Sequence, residues 1–304
     1  MSTAVKDQAG ELRRLVEEKR QALRQKSRPR TIAVLSGKGG VGKSNLSLAL
    51  SCALADQGKR IVLLDADLGL ANLDILCGVS SKYNLSHLVE GSRKLEELLT
   101  PIPGEERVTL LSGGVGIRSM ADLDDDAMGH VFDLLEDLED RADLLILDTG
   151  AGIHNGVLSF AHAADMTILI TTPEPTSMRD AYGVIKSLGR VEGECGNELM
   201  LVVNMADSRE EAMDVAGRIR TASLQFLGSS PTCLGYVLKD EGVEKAVRSR
   251  RIFYRIAPGS PASRCVKKLA DELLRISEGR MAPRESRGLR SFFLRLSRGF
   301  FMEK

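Results

Sequence analysis

Apolar residues gather in short unbroken runs along the chain: Thr31–Ser36, Ile61–Asp65, Val108–Ser112, Leu144–Asp148, Met166–Thr171, Leu199–Asn204 and Cys233–Val237. Each run is too short for a helix and is apolar at successive positions, so each predicts a strand buried on both faces. Between the runs, stretches near 43–57, 124–140, 155–164, 176–190, 208–226, 241–248 and 260–277 carry apolar residues at helical spacing. Strands alternating with helices of this length predict a doubly wound α/β fold, a mostly parallel sheet with helices on both faces.

Composition divides the 304 residues into three regions, a polar segment 1–30, the alternating region 31–278 and a basic tail 279–304. Hydrophobic residues make up 43% of the chain, enough for one sizeable core. The 42 basic and 42 acidic side chains cancel, which argues against a chain that coats nucleic acid over its whole surface. Five scattered cysteines form no C-x-x-C pair, so neither a disulfide framework nor a zinc site is expected and reducing cytoplasm fits best. Residues 1–30 hold nine Lys/Arg against four Asp/Glu and no apolar signal core. No apolar stretch reaches the roughly 18 residues that a spanning helix needs.

The chemistry is concentrated after the first strand. Gly37, Lys38, Gly39, Gly40, Val41, Gly42, Lys43 and Ser44 match G-x-x-x-x-G-K-[ST] between a predicted strand and a predicted helix. Glycines let the backbone wrap so that successive N–H groups face phosphate oxygens, and the helix adds the positive end of its dipole. Lys43 is placed to neutralise the β- and γ-phosphates, and the Ser44 hydroxyl to bind Mg²⁺. The strand ending at Asp148 has the form of a Walker B segment, whose carboxylate holds Mg²⁺ through water. No N-K-x-D guanine pattern follows the strand that ends at Asn204, so ATP is expected.

Lys38 is a second lysine that an ordinary phosphate loop does not require. With it, the loop resembles the deviant Walker A family that includes MinD and ParA. The resemblance extends over most of residues 31–278, through Asp65-Ala-Asp67-Leu-Gly-Leu-Ala-Asn-Leu-Asp74 and Thr172-Pro-Glu174-Pro-Thr-Ser-Met-Arg-Asp180. It implies a slow regulatory ATPase using ATP and Mg²⁺ that dimerises around its nucleotides. Lys38 would reach the partner's nucleotide, with Glu174 and Asp180 at the dimer face. Asp67 would orient the attacking water, making Lys38, Lys43 and Asp67 the catalytic set. Asp65 would support Mg²⁺ through water beside Asp148. Where MinD tends to carry a Pro after the Walker B Asp, Gly150 stands here, which favours the flagellar branch. Asn204 would read the adenine edge, its amide offering both a donor and an acceptor, and Pro258 is a candidate for the wall of the base pocket.

Both ends carry amphipathic patterns. Leu289, Phe292, Phe293, Leu296 and Phe300 share one helical face, with Arg287, Arg290, Arg295 and Arg298 around it. Preceded by the linker-like residues 279–288, this predicts a tethered helix for an anionic membrane surface, and a helix packed on its own domain is the alternative. At the other end, Asp7, Gln8, Ala9, Leu12 and Arg13 resemble the D-Q-A-x-x-L-R element of the FlhG (FleN) flagellar regulators. In that family the element contacts the SRP-type GTPase FlhF. The resemblance further implies a role in flagellar number and placement, C-ring components or a transcriptional activator as partners, and reversible residence at the inner face of the cell membrane. Three other assignments compete. A division-site MinD would lack the 30-residue head. A DNA-partition ParA would need a basic patch on its dimer, and an iron–sulfur carrier would need interface cysteines.

Overall fold

The computed structural model describes residues 28–67, 72–113, 116, 125–189, 198–278 and 288–301. The strands are β1 (Arg30–Ser36), β2 (Ile61–Ala66), β3 (Leu99–Ile102), β4 (Glu105–Ser112), β5 (Leu144–Ala151), β6 (Met166–Thr171), β7 (Glu198–Ala206) and β8 (Thr232–Leu238). The helices are α1 (Lys43–Asp56), α2 (Leu73–Cys77), α3 (Leu85–Val89), α4 (Leu95–Leu98), α5 (Asp125–Glu136), α6 (Asn155–Ala163), α7 (Pro175–Gly189), α8 (Arg209–Leu227), α9 (Glu241–Arg248), α10 (Phe253–Ile256), α11 (Pro261–Glu278) and α12 (Gly288–Phe301).

All eight strands join one sheet in the order β3-β4-β2-β5-β1-β6-β7-β8. Every pairing is parallel except the edge pair β3–β4. The inner strands β2 and β6 are buried at every position, which is why they read as continuous apolar runs rather than alternating ones. Apolar clusters lie on both faces of the sheet. One joins it to α5, α6, α7 and α8, the other to α1, α10 and α11. The helix α1 is buried around most of its surface, and its small residues Ala49, Cys52 and Ala53 let it press closely onto the sheet.

Strand order reverses at β1, which has β5 on one side and β6 on the other. Open parallel sheets bind ligands beyond the carboxyl ends of their strands at such a point. The loop 37–42 leaves β1 there. Asp65 and Asp148 face each other in register across β2 and β5.

The C-terminal helix differs from the tethered element that its pattern suggested. Leu289, Phe292, Phe293 and Leu296 are at most 2% exposed, packed in the cluster shared with α5 and α6. Phe292 and Phe293 meet edge-to-face at 4.9 Å between centroids. Arg290 pairs with Asp133 at 2.8 Å and Glu136 at 3.7 Å on the acidic α5. Glu139 Oε1 accepts the N–H of Leu289 at 2.6 Å, and Arg295 Nε donates to the carbonyl of Ala163 at 3.1 Å. Fully burying one such apolar side chain is worth about 1.5–3 kcal/mol, so in this state α12 belongs to the core. The Phe300 side chain and residues 1–27, with Asp7, Gln8, Ala9, Leu12 and Arg13, lie outside the described residues.

Candidate nucleotide site

The loop after β1 is shaped by glycines whose neighbours leave no room for a side chain. A Cβ at Gly37 would lie 2.4 Å from the carbonyl carbon of Asp180 on α7. Gly42, the residue before α1, sits at φ 84°, and a Cβ there would meet Asn204 Nδ2 at 2.5 Å. Gly40 is also left-handed at φ 80°. By contrast, the Cβ positions of Gly39 and Gly40 have nothing within 4 Å, so the loop is tight behind and open in front. Ser36 Oγ donates to the carbonyl of Lys38 at 3.0 Å, and Asn204 Nδ2 donates to that of Val41 at 2.8 Å. Asn204 therefore braces the loop from β7, a role its adenine-reading assignment did not include.

Lys43 and Asp148 form a buried pair, Nζ to Oδ1 at 2.8 Å with side chains 9% and 2% exposed. Ser47, one turn along α1, donates to the same oxygen at 3.1 Å. The cation that would face phosphate thus rests on the carboxylate that would face the metal. An incoming phosphate–Mg²⁺ ion pair suits this pairing, because it brings an opposite charge for each partner. The hydroxyl of Ser44 and the carboxylate of Asp148 are hard oxygen donors of the kind Mg²⁺ takes together with phosphates. Open space before the loop and this donor set fit a Mg-nucleotide.

Asp67 follows β2, its Oδ1 3.6 Å from the position of a Cβ on Gly150, so it faces the turn after Asp148. Gly152, at φ 111°, returns that turn to β1 by donating its N–H to the carbonyl of Ser36 at 2.9 Å. Asp65 is 2% exposed, and both its oxygens accept backbone N–H groups, from Asp67 at 3.3 Å and from Asn72 and Leu73 at 3.0 Å each. Asp65 thus carries a backbone-binding role beside the water-mediated metal role that the resemblance implies. Burial, with a smaller contribution from the Asp148 charge, pushes its carboxyl up to about 6 against the pull of those N–H bonds.

The residues assigned to the dimer face behave differently from one another. Lys38 Nζ contacts Glu174 Oε2 at 2.6 Å and Thr176 Oγ1 at 3.2 Å, within one chain and at the surface. Asp180 pairs with its neighbour Arg179 at 3.3 Å rather than with a loop cation. Ser177 orders the start of α7, its hydroxyl accepting the N–H of Thr172 at 3.0 Å.

A cavity beside Asn204 is walled by Met205, Val237, Leu238, Val243 and Phe253 with Leu46 beneath, and Pro258 is not part of its lining. These residues come from α1, β7, β8, α9 and α10, so no local motif marks them. Met205 alone carries a local signal in the backbone, a left-handed φ of 58° unusual for a side chain of its size.

A glycine-lined loop between a parallel strand and a helix, with a buried Lys–Asp pair beneath it, defines a P-loop nucleoside triphosphatase that binds a Mg-nucleotide. A family model described as ParA, NUBPL iron-transfer P-loop NTPase, matches residues 28–273. The chain is 38% identical to the antiactivator FleN of Pseudomonas aeruginosa over 86% of its own length and 91% of that protein. It is 32% identical to the flagellum site-determining protein YlxH of Helicobacter pylori, over 89% and 90% of the two chains. The Mg-ADP complex of the septum site-determining protein MinD from Pyrococcus horikoshii shares the fold, with a TM-score of 0.63 at 23% identity, covering 82% of this chain and 97% of that one. The chain belongs to the ParA/MinD family of P-loop ATPases, in its FleN/FlhG branch.

Proposed function

We propose that the protein is an ATP-driven dimerisation switch that regulates flagellar number or placement, alternating between a monomer and a membrane-associated dimer. The observation that carries it is the division of labour between two lysines. Lys43 is buried under the phosphate loop, whereas Lys38 Nζ stands at the surface, its side chain 40% exposed and held by the exposed side chains of Glu174 and Thr176. An ammonium group displayed beside the phosphate site is placed for the nucleotide of a facing copy. Similarity to FleN and YlxH over nearly the whole of each chain supports the flagellar assignment.

In this cycle Lys43 would turn from Asp148 to the phosphates of ATP, and Asp148 would hold Mg²⁺ through water. Lys38 leaves Glu174 and Thr176 for the partner's phosphates, which frees Glu174 to contact the partner. Asp67 orients the attacking water against the turn at Gly150, and hydrolysis returns the monomer. Membrane attachment uses Leu289, Phe292, Phe293, Leu296 and Phe300, so α12 must leave its groove first. One undocked helix binds a bilayer weakly, whereas two in one dimer act as linked ligands. The segment with Asp7, Gln8, Ala9, Leu12 and Arg13 is the proposed contact for an FlhF-type GTPase. C-ring components or a flagellar transcriptional activator are further proposed partners.

Light scattering with a non-hydrolysable ATP analogue and Mg²⁺ tests the switch. The parent chain dimerises and Lys38→Ala remains monomeric. Equal dimerisation of the two removes Lys38 from the role.

A further inference from the structure

The segment after β2 carries Asp67, yet Asp67 is held from behind by another residue. The carboxylate of Asp65 spans the base of this segment. Its Oδ1 accepts the N–H of Asp67 at 3.3 Å, and its Oδ2 accepts those of Asn72 and Leu73 at 3.0 Å each. The first bond lies where the segment leaves β2, and the other two where it enters α2. One buried side chain therefore ties both feet of the segment to the end of a central strand. Asn72 makes no side-chain cap for α2, so Asp65 supplies the acceptor that the first helical N–H groups would otherwise lack.

We propose that Asp65 is the positioning residue of this segment: it sets the distance between Asp67 and the Gly150 turn, and through that the rate of hydrolysis rather than nucleotide or metal affinity. The proposal rests on the assignment of Asp67 as the residue that orients water. The bonding pattern favours this role over a metal-binding one. A carboxylate has about four acceptor sites, and three of them are filled by backbone N–H groups. Asp148, opposite Asp65 in register, instead turns one oxygen, Oδ1, to the side-chain groups Lys43 Nζ and Ser47 Oγ.

An amide at position 65 distinguishes the two roles. Asp65→Asn keeps one acceptor for the α2 end, but its NH₂ group cannot accept the N–H of Asp67, so one foot is released. Misplacing a reacting group by about 1 Å costs up to roughly 100-fold. The expected result for Asp65→Asn is a kcat lower by about 10- to 100-fold, with the ATP dissociation constant and the Mg²⁺ concentration for half-maximal activity both within about twofold of the parent. A raised Mg²⁺ requirement with kcat recovered at saturating Mg²⁺ would assign Asp65 to the metal and overturn the proposal, as would an unchanged kcat. Asp67→Ala is run alongside. If it hydrolyses ATP normally, the assignment of Asp67 fails. If Asp67→Ala is inactive and Asp65→Asn is normal, positioning by Asp65 alone fails. Should Asp65→Asn not fold, hydrogen exchange on the parent chain decides: the Asn72 and Leu73 amides are protected to a degree near that of β2, and exchange at the rate of an open loop refutes the clasp.

Discussion

The docked C-terminal helix makes a prediction opposite in sign to ordinary core damage. At Gly299, α12 passes so close to α6 that a Cβ would lie 2.6 Å from Ser159 Oγ and 2.9 Å from Ser159 Cβ. Gly299→Ala therefore overpacks the docked state, at a cost of about 1–3 kcal/mol. The added methyl also raises helix propensity by roughly 0.8–1.0 kcal/mol, but it does so whether the helix is docked or lying on a bilayer. The net shift towards the undocked helix is roughly 5- to 150-fold. Without nucleotide, the variant should sediment with anionic liposomes more than the parent does, although every apolar anchor is retained. Ser159→Gly removes the Oγ and Cβ that the new methyl meets, and in the double variant binding should fall back towards the parent level. If Gly299→Ala binds liposomes no better than the parent, docking does not limit membrane attachment. If Ser159→Gly fails to reverse an increase, the contact is not its cause.

Three more outcomes follow from the site. Asp148→Ala strands the buried Lys43 ammonium without its carboxylate, so urea denaturation of the nucleotide-free protein should show a loss of about 3–5 kcal/mol, largely recovered in the double variant Lys43→Met/Asp148→Ala; a loss below about 1 kcal/mol would mean that the pair is not closed in solution. Gly37→Ala drives a methyl into the α7 backbone at Asp180, and should cost at least about 1–3 kcal/mol of stability and weaken nucleotide binding in calorimetry; parent-like affinity and melting would contradict the close approach. Asn204→Ala removes the brace on Val41, an ordinary neutral hydrogen bond worth about 0.5–1.5 kcal/mol, so nucleotide affinity should drop by roughly 2- to 10-fold; unchanged affinity would show that the loop holds its shape without it.

Much of the sheet was legible because β1, β2, β5 and β6 are buried on both faces and so appear as unbroken apolar runs. The edge strand β3 was not, since it is four residues long, contains Pro101 and is only partly buried. A proline is tolerated there because an edge strand has N–H groups that pair with nothing. The phosphate loop and Asp148 were legible because strand, loop and helix are contiguous. The cis contact of Lys38 joins residues 136 positions apart, and the clasp of Asp65 depends on the chain returning at Asn72. Neither leaves a local pattern. For α12, the same apolar stripe serves a bilayer or a protein groove. The structure adds what the stripe lacked, an acidic partner in Asp133 and Glu136 and a glycine that permits close approach to α6.

Central to the proposed switch is a surface ammonium group drawn across to a second molecule by a bound γ-phosphate. The most direct test is the mass of the full chain in solution, measured by light scattering with Mg²⁺ and either ADP or a non-cleavable ATP analogue. A monomer with ADP and a dimer with the analogue are predicted, and a monomer under both conditions would contradict the account.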